Sequence, residues 1–439
     1  MGHPPPPSAS TTVTGRWPTS LRTRPLSAGR PRTCPGQRPA RPTWTKEAPY
    51  DRAEAGPASD AINRSLREGD AVDVGLVLMS YHGSWDDAAY AEEHGFAGVG
   101  FVDSPLIAGD PFVAMALTAE RTSTLRIGTM LAVPSNRIAP TCAAAVATVN
   151  RLAPGRAFLA LGTGNTGRAV LGLKALPVGR FEEYVSSCRA LLDGKETSNR
   201  EGDTTRFIRM RHTPEDRYID RDGIPIYIAA DGPRARRVAW ELGSGWIMSL
   251  QGCNAMMNAP EVLGKSLAAG RKATAELGRD PDDFYTMCAL GLCVLEQGES
   301  ATSARVLERV GPFAMLPFHA YADNPAIGEH LPAPIRDRLE LYERKVLARL
   351  DVPRDRLYQE THRGHLSHLL PGEEEVLTEE IIRMTTLTGT ANEIADVLRG
   401  LEAAGLRNVT LHPPAHLVRE AVREYAEKIA PLLGTGSPS

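Results

Sequence analysis

"LALGTGNTGR", residues 159–168, is an apolar run cut short by a glycine-rich turn. Apolar residues at successive rather than alternate positions describe a strand buried on both faces, and such strands belong to parallel sheets covered by helices. A second stretch, "IPIYIAADGPRAR" (224–236), repeats the layout: buried strand, turn of small residues, helix opening at Pro233. Outward from these two the same beat continues. Strands are expected at 72–80, 97–102, 125–131, 157–161, 224–229, 245–249, about 284–295 and 408–412. Between them lie helical stretches at 85–93, 111–121 and 140–152, and one with Val178, Phe181, Val185, Cys188, Leu191 and Leu192 on a single apolar face. Thr390 and Glu393 have the spacing of a capping box, opening a helix striped by Ile394, Val397, Leu398 and Leu401.

Eight buried strands separated by helices favour an α/β fold of the (β/α)8 TIM-barrel type over an open sheet. The stretch 297–388 is too long for one connection, so it is expected to be a helical insertion before the last βα unit, near the mouth ("APIRDRLELYERKVLARL", 333–350). Residues 1–70 differ in kind. They hold ten prolines before residue 47, no acid before Glu47, and arginines at 16, 22, 24, 30, 32, 38 and 41. Such a segment buries too little apolar surface to offset its ordering entropy, so a disordered leader is expected, with a weak nucleic-acid arm as the rival reading. The domain reading is therefore leader 1–70, barrel 71–433 with its insertion, and tail 434–439.

The net charge of −3 gives no field that favours nucleic acid or membrane, and no run of apolar residues is long enough to span a bilayer. Cys34, Cys142, Cys188, Cys253, Cys288 and Cys293 are scattered, without Cys-x-x-Cys or a zinc spacing. They read as reduced core thiols of a cytoplasmic protein. "HRGHLSH" carries His362, His365 and His368, but no carboxylate is in view to pair with them. No metal site is expected, and one of these histidines lining a substrate pocket is the alternative.

Ligands of such barrels bind at the carboxyl ends of the strands. Gly162, Thr163 and Gly164 lie there, and glycine lets main-chain amides approach an anion closely. The turn Ala230, Asp231, Gly232 opens a helix whose first amides suit a phosphate, and Ser249 ends the next strand with a hydroxyl. Asp231 argues against a phosphate unless it points away. Neither turn fits Walker A, and there is no Gly-x-Gly-x-x-Gly paired with an acidic partner for a ribose.

"LRIGTMLAVPSNRIAP" (125–140), "GRAFLALGTGNTGR" (155–168), "GRFEEY" (179–184), the stretch 224–247 and "TLTGTANEIADVLRGLEAAGLRNVTLHPP" (386–414) together resemble the luciferase-like monooxygenase superfamily, over roughly 72–433. The resemblance implies a barrel that binds FMN or the deazaflavin coenzyme F-420, and a homodimer, since many members are dimers. It implies a bulge at Met130–Leu131, often with a non-prolyl cis peptide, under the ring. It implies phosphate and tail contacts from Gly162, Thr163, Gly164 and Asn165, with Ala230, Asp231 and Gly232 in the second loop. Asp103 matches an acidic position at the end of strand two. Ser104 stands where deazaflavin-dependent sugar dehydrogenases place a catalytic histidine, and serine is no base near pH 7 unaided. His82, after strand one, could supply an imidazole instead. Three functions follow: a monooxygenase using reduced FMN and oxygen on a small organic substrate, hydride transfer through F-420, and a non-catalytic flavin-binding protein. The absent histidine tilts the sequence reading toward FMN.

Overall fold

The computed structural model describes residues 72–212, 216–248, 260–281 and 284–434. The leader, nearly all of the tail, and Ser249 lie outside the described residues. Among the described residues eight parallel strands close into a barrel: β1 Asp73–Leu78, β2 Gly98–Phe101, β3 Arg126–Thr129, β4 Ala157–Leu161, β5 Ile226–Ala229, β6 Gly245–Met248, β7 Tyr285–Leu290 and β8 Asn408–Leu411. Spatial order follows chain order, and β8 pairs back onto β1 with Asp73 opposite Asn408. Seven of the expected strands appear within a residue or two of their expected limits. The eighth departs more.

The helices cover the outside. The stripe expected on Val178–Leu192 is the face that packs inward, with Phe181, Val185, Cys188, Leu191 and Leu192 all buried. Each such large apolar side chain contributes about 1.5–3 kcal/mol when fully withdrawn from water. The Thr390–Glu393 box forms with both reciprocal bonds, opening Ala391–Ala403. Inside the barrel a separate cluster holds Val77, Met130, Phe158, Ala160, Tyr227, Ile247, Tyr285 and Met287. At the amino-terminal end of the strands the Arg126 guanidinium lies over the rings of Tyr285 and Tyr227, at 4.8 and 5.6 Å. The Tyr285 hydroxyl donates to Asp73 Oδ2 at 2.8 Å. This polar cluster occupies the amino-terminal end of the barrel, where Arg126, Tyr227 and Tyr285 line a small interior cavity together with Asn408 and Thr410.

Two features differ from the sequence reading. The strand expected over 284–295 is two strands: β7 stops at Leu290, and Leu292–Val294 pairs instead with Leu387–Gly389. The break falls at Gly291, where a Cβ would crowd the Phe313 side chain at 3.1–3.2 Å, so a residue without one suits the point where the chain leaves the barrel. The short pair belongs to the insertion, which is helical as expected (Ala304–Ala314, Leu316–Asp323, Glu379–Thr385 and shorter turns) and has its own core around Phe318, Tyr342 and Ile382. The second feature is an antiparallel hairpin, Thr197–Glu201 with Thr204–Ile208, which projects from the barrel after Val178–Leu192. Its residues are mostly exposed and polar, so no buried-strand signal announces it.

A single carboxylate ties the first helix to the turn before β3. Glu92 Oε1 accepts from the amides of Thr124 (2.6 Å), Leu125 (2.7 Å) and Ser123 (3.0 Å), and from the Thr124 hydroxyl (2.9 Å). Partial burial pushes its carboxyl up, but these four donors outweigh that and hold it below the usual glutamate range. A carboxyl with a depressed folded pKa stabilises the fold above its unfolded value, and that contribution is lost as pH falls through the folded value. Glu92→Gln is therefore expected to lower the unfolding free energy at pH 7 by about 1 kcal/mol, allowing for its half-exposed position. The gap to the unmodified protein should narrow in urea titrations run at progressively more acid pH, below the ordinary glutamate range. A gap that stayed constant with pH would remove the charge from the account.

Candidate active site

At the carboxyl rim the interior cluster is capped by Val102, Leu131, Ala229 and Ala289, all half-buried and all apolar. They come from four different strand ends and make a low floor, because two of the four are alanines and Gly162 beside them has no side chain. A Cβ at Gly162 would lie 2.6 Å from Leu131 Cδ1 and 3.6 Å from Ala229 Cβ, so the floor closes tightly there. Met130 packs on Gly100, whose absent Cβ leaves its place. The peptide bond between Met130 and Leu131 is cis.

The two glycine turns stand side by side. β4 and β5 pair with Leu161 opposite Ile228, which puts the next residues, Gly162 and Ala229, in contact. Gly164 is buried with φ +80°, and a Cβ there would sit 2.4 Å from Val133 Cγ1. That conformation is natural only to glycine. Main-chain amides at Thr163 and Gly164 donate to no backbone acceptor among the described residues. Asn165 is exposed and begins the short helix Asn165–Ala169. Gly167, which sequence reasoning passed over, completes a Gly-x-Gly-x-x-Gly spacing, and its Cβ would meet the Asp103 carbonyl at 3.0 Å. On β5's side, Gly232 caps Pro233–Leu242 without a side-chain hydrogen bond, with open space where a Cβ would be. Asp231 is half-buried between them.

Several expected contacts are spent on the fold. The Gly162 amide bonds the Ala132 carbonyl at 3.2 Å. The Ala230 amide bonds the Ile247 carbonyl at 3.2 Å, and the Ala230 carbonyl accepts from the Trp246 indole at 2.7 Å. Neither amide is left for an anion, whereas the amides of Thr163, Gly164 and Gly232 have no backbone acceptor among the described residues.

The acid and base candidates are also rearranged. Asp103 is buried with both oxygens engaged: Oδ2 accepts from the Val133 amide at 3.1 Å and Oδ1 from Arg137 at 3.1 Å. Arg137 also pairs with Asp110, which caps the helix Pro111–Ala119, and lies 4.9 Å over the Phe112 ring. Asp103 is a brace between the β2 and β3 loops rather than a free base. Ser104 is buried, and its carbonyl turns the following loop by accepting from Ala108. His82 is exposed, edge-on to Trp85 at 5.3 Å, on the rim beyond β1.

An imidazole that the sequence reading missed is His412. Strand alternation from Asn408 and Thr410, which line the barrel interior, turns it inward at the end of β8. It is 4% exposed and its Nε2 is buried without a partner. Burial holds its pKa down at about 4, so it is neutral near pH 7. The signal was present in "NVTLH", where every second residue from Asn408 is polar. The insertion histidines were expected to lack carboxylate partners, and that expectation is corrected: His362 Nε2 meets Asp323 at 3.0 Å, across 39 residues of sequence. His362 and His365 are buried, whereas His368 is exposed. The insertion also reaches the β4 turn, where Tyr358 packs against Gly172.

A family model described as luciferase-like monooxygenase matches residues 68–408. The 5,10-methylenetetrahydromethanopterin reductase of Methanolobus tindarius is 28% identical over 45% of this chain and 56% of its own length. The F420-dependent hydroxymycolic acid dehydrogenase of Mycobacterium tuberculosis is 31% identical over 44% of this chain and 52% of its own. The chain thus spans about half the length of these two curated relatives. Among solved structures, an F420-dependent secondary alcohol dehydrogenase in complex with an F420-acetone adduct superposes with a TM-score of 0.56, covering 83% of this chain and 99% of the other at 17% identity. It shares the fold.

The brace reading of Asp103 has a direct test. Asp103→Asn is expected to lower the unfolding free energy by about 1–3 kcal/mol, because the half-buried Arg137 guanidinium loses one of its two carboxylate partners and a buried carboxylate is removed from the brace. Once Arg137→Ala is in place the same change should cost much less, as double-mutant urea denaturation would report. Unchanged stability in the single variant would return Asp103 to the list of groups free to do chemistry.

Proposed function

The chain belongs to the luciferase-like monooxygenase family, an oxidoreductase family, and from that premise we propose that it transfers hydride between F-420 and a small organic substrate. The observation that carries this reading is the half-buried apolar floor of Val102, Leu131, Ala229 and Ala289, lying beside two turns with main-chain donors to spare. A planar ring fits such a floor, and the anionic tail of the cofactor fits Thr163, Gly164 and the open helix end at Gly232. Gly164 meets the requirement for close backbone approach, since any side chain there collides with Val133.

When bound, F-420 supplies two-electron hydride chemistry; the protein supplies binding, orientation and exclusion of water. Thr163 and Gly164 amides hold negative charge. Leu131 and its neighbours keep the reacting face dry. His412, neutral and inward-facing, is the group placed to share a proton with a substrate oxygen. It answers the objection raised by Ser104, because the mouth has an imidazole from another strand. Support for F-420 over FMN comes from relatives such as the mycobacterial dehydrogenase, whose name carries that coenzyme.

Titration of the full-length protein with oxidised F-420 and with FMN, followed by fluorescence, separates the two cofactors. Binding of F-420 is expected, with Gly164→Val weakening it about tenfold or more through backbone strain and the clash with Val133. Tight FMN binding with oxygen uptake on reduction, and no F-420 binding, would overturn the proposal in favour of the monooxygenase reading.

A further inference from the structure

We propose that His319, His362 and His365 in the insertion bind a divalent transition-metal ion, zinc by default, with Glu373 and Asp323 holding two of the imidazoles in ligand orientation. This inference is independent of the cofactor reading. The three histidines come from separate pieces of chain: His319 from the helix Leu316–Asp323, His362 and His365 from the turn after Tyr358–Thr361. All three are buried, at 2, 3 and 5% exposure, and one ligand nitrogen from each lies within 4.8 Å of the others.

Geometry at the cluster favours a metal over simple packing. His362 Nδ1 and His365 Nδ1 are 3.3 Å apart. Tetrahedral zinc with Zn–N of about 2.0–2.1 Å has ligand edges of about 3.3–3.4 Å. Two imidazoles carry a carboxylate on the far nitrogen. His319 Nε2 meets Glu373 Oε1 at 2.8 Å, and His362 Nε2 meets Asp323 Oδ2 at 3.0 Å. A nitrogen bonded to a carboxylate must carry the proton, so Nδ1 of each neutral ring keeps its lone pair. That is the arrangement by which carboxylates orient and strengthen histidine ligands. His319 Nδ1 is buried with no hydrogen-bond partner, a lone pair with no donor to meet it.

Charge leads to the same place. Glu373 is wholly buried, and its second oxygen accepts only the Leu370 amide at 2.8 Å. Among the described residues its ion pair is with His319, and that of Asp323 is with His362. Glu373, a wholly buried carboxylate against buried imidazoles, calls for compensating positive charge at the cluster, whereas Asp323 reaches solvent. Protons on the rings could supply it, but two imidazolium ions this close repel. One divalent ion supplies the charge and takes up the lone pairs together. Ligands that are all imidazole suit zinc, copper, nickel or iron(II) rather than magnesium or calcium. The ion would clamp Leu316–Asp323 to the segment 358–373, beside the inward end of β8 where His412 stands.

The test uses full-length protein stripped with chelator, passed through metal-free buffer, and given zinc sulfate or cobalt chloride alone. About one equivalent should survive gel filtration, with a higher Tm and, for cobalt, the visible absorption of a tetrahedral nitrogen site. His362→Ala and His365→Ala should lose the bound metal, Asp323→Asn should weaken it about 10–100-fold, and His368→Ala should keep it. Two results would overturn the proposal: substoichiometric metal with no change in Tm on the unmodified chain, or full retention by His365→Ala. The first needs no variant to fold.

Discussion

All eight strands of the barrel run the same way, and the rest of the molecule follows from that constraint. A parallel closed sheet gathers every strand-to-helix turn on one rim and every helix-to-strand turn on the other. The register between β4 and β5, Leu161 against Ile228, then decides that two glycine turns far apart in sequence become neighbours. The opposite end holds Arg126 among Tyr227, Tyr285 and Asp73. At the carboxyl rim, main-chain donors, small residues and part of the insertion converge.

Much of this was legible in the sequence because burial on both faces writes strands as continuous apolar runs. "AFLAL" has the same limits in the sequence reading and in the structure, 157–161. What escaped was of three kinds. The hairpin at Thr197–Ile208 is polar and exposed, so neither periodicity nor burial marks it. The apolar run 284–295 was continuous in composition but not in space, since Gly291 lets the chain leave one sheet for another and an apolar run says nothing of a change of partner. The insertion's polar heart was invisible because its pairs, His319 with Glu373 and His362 with Asp323, are separated by 54 and 39 residues.

The rim residues show why site assignment from sequence is harder than fold assignment. A carboxylate at the end of a barrel strand has two uses: to act on a ligand, or to hold loops that have few ladder bonds of their own. Asp103 has the second, because Val133 and Arg137 engage both its oxygens. The same economy applies to backbone amides. Gly162 and Ala230 sit in the matching turns, yet their N–H groups complete the ends of the ladder. A turn motif identifies where donors cluster; only the pairing pattern says which remain available.

The insertion brings together fold and function. It has its own core, and its ties to the barrel include a buried ion pair. Arg309, buried on Ala304–Ala314, pairs with Glu424 of the last helices at 3.1 Å, and Tyr358 lies on Gly172 beyond the β4 turn. A roof held only by apolar contacts would tolerate sliding, since such surfaces repack at small cost. Buried charges do not slide: Arg309 displaced from Glu424 leaves an ion without water or partner. The Arg309 pairs therefore fix Ala304–Ala314 against Val418–Glu424. The polar framework that holds the insertion is remote in sequence from the glycine turns that identify the fold.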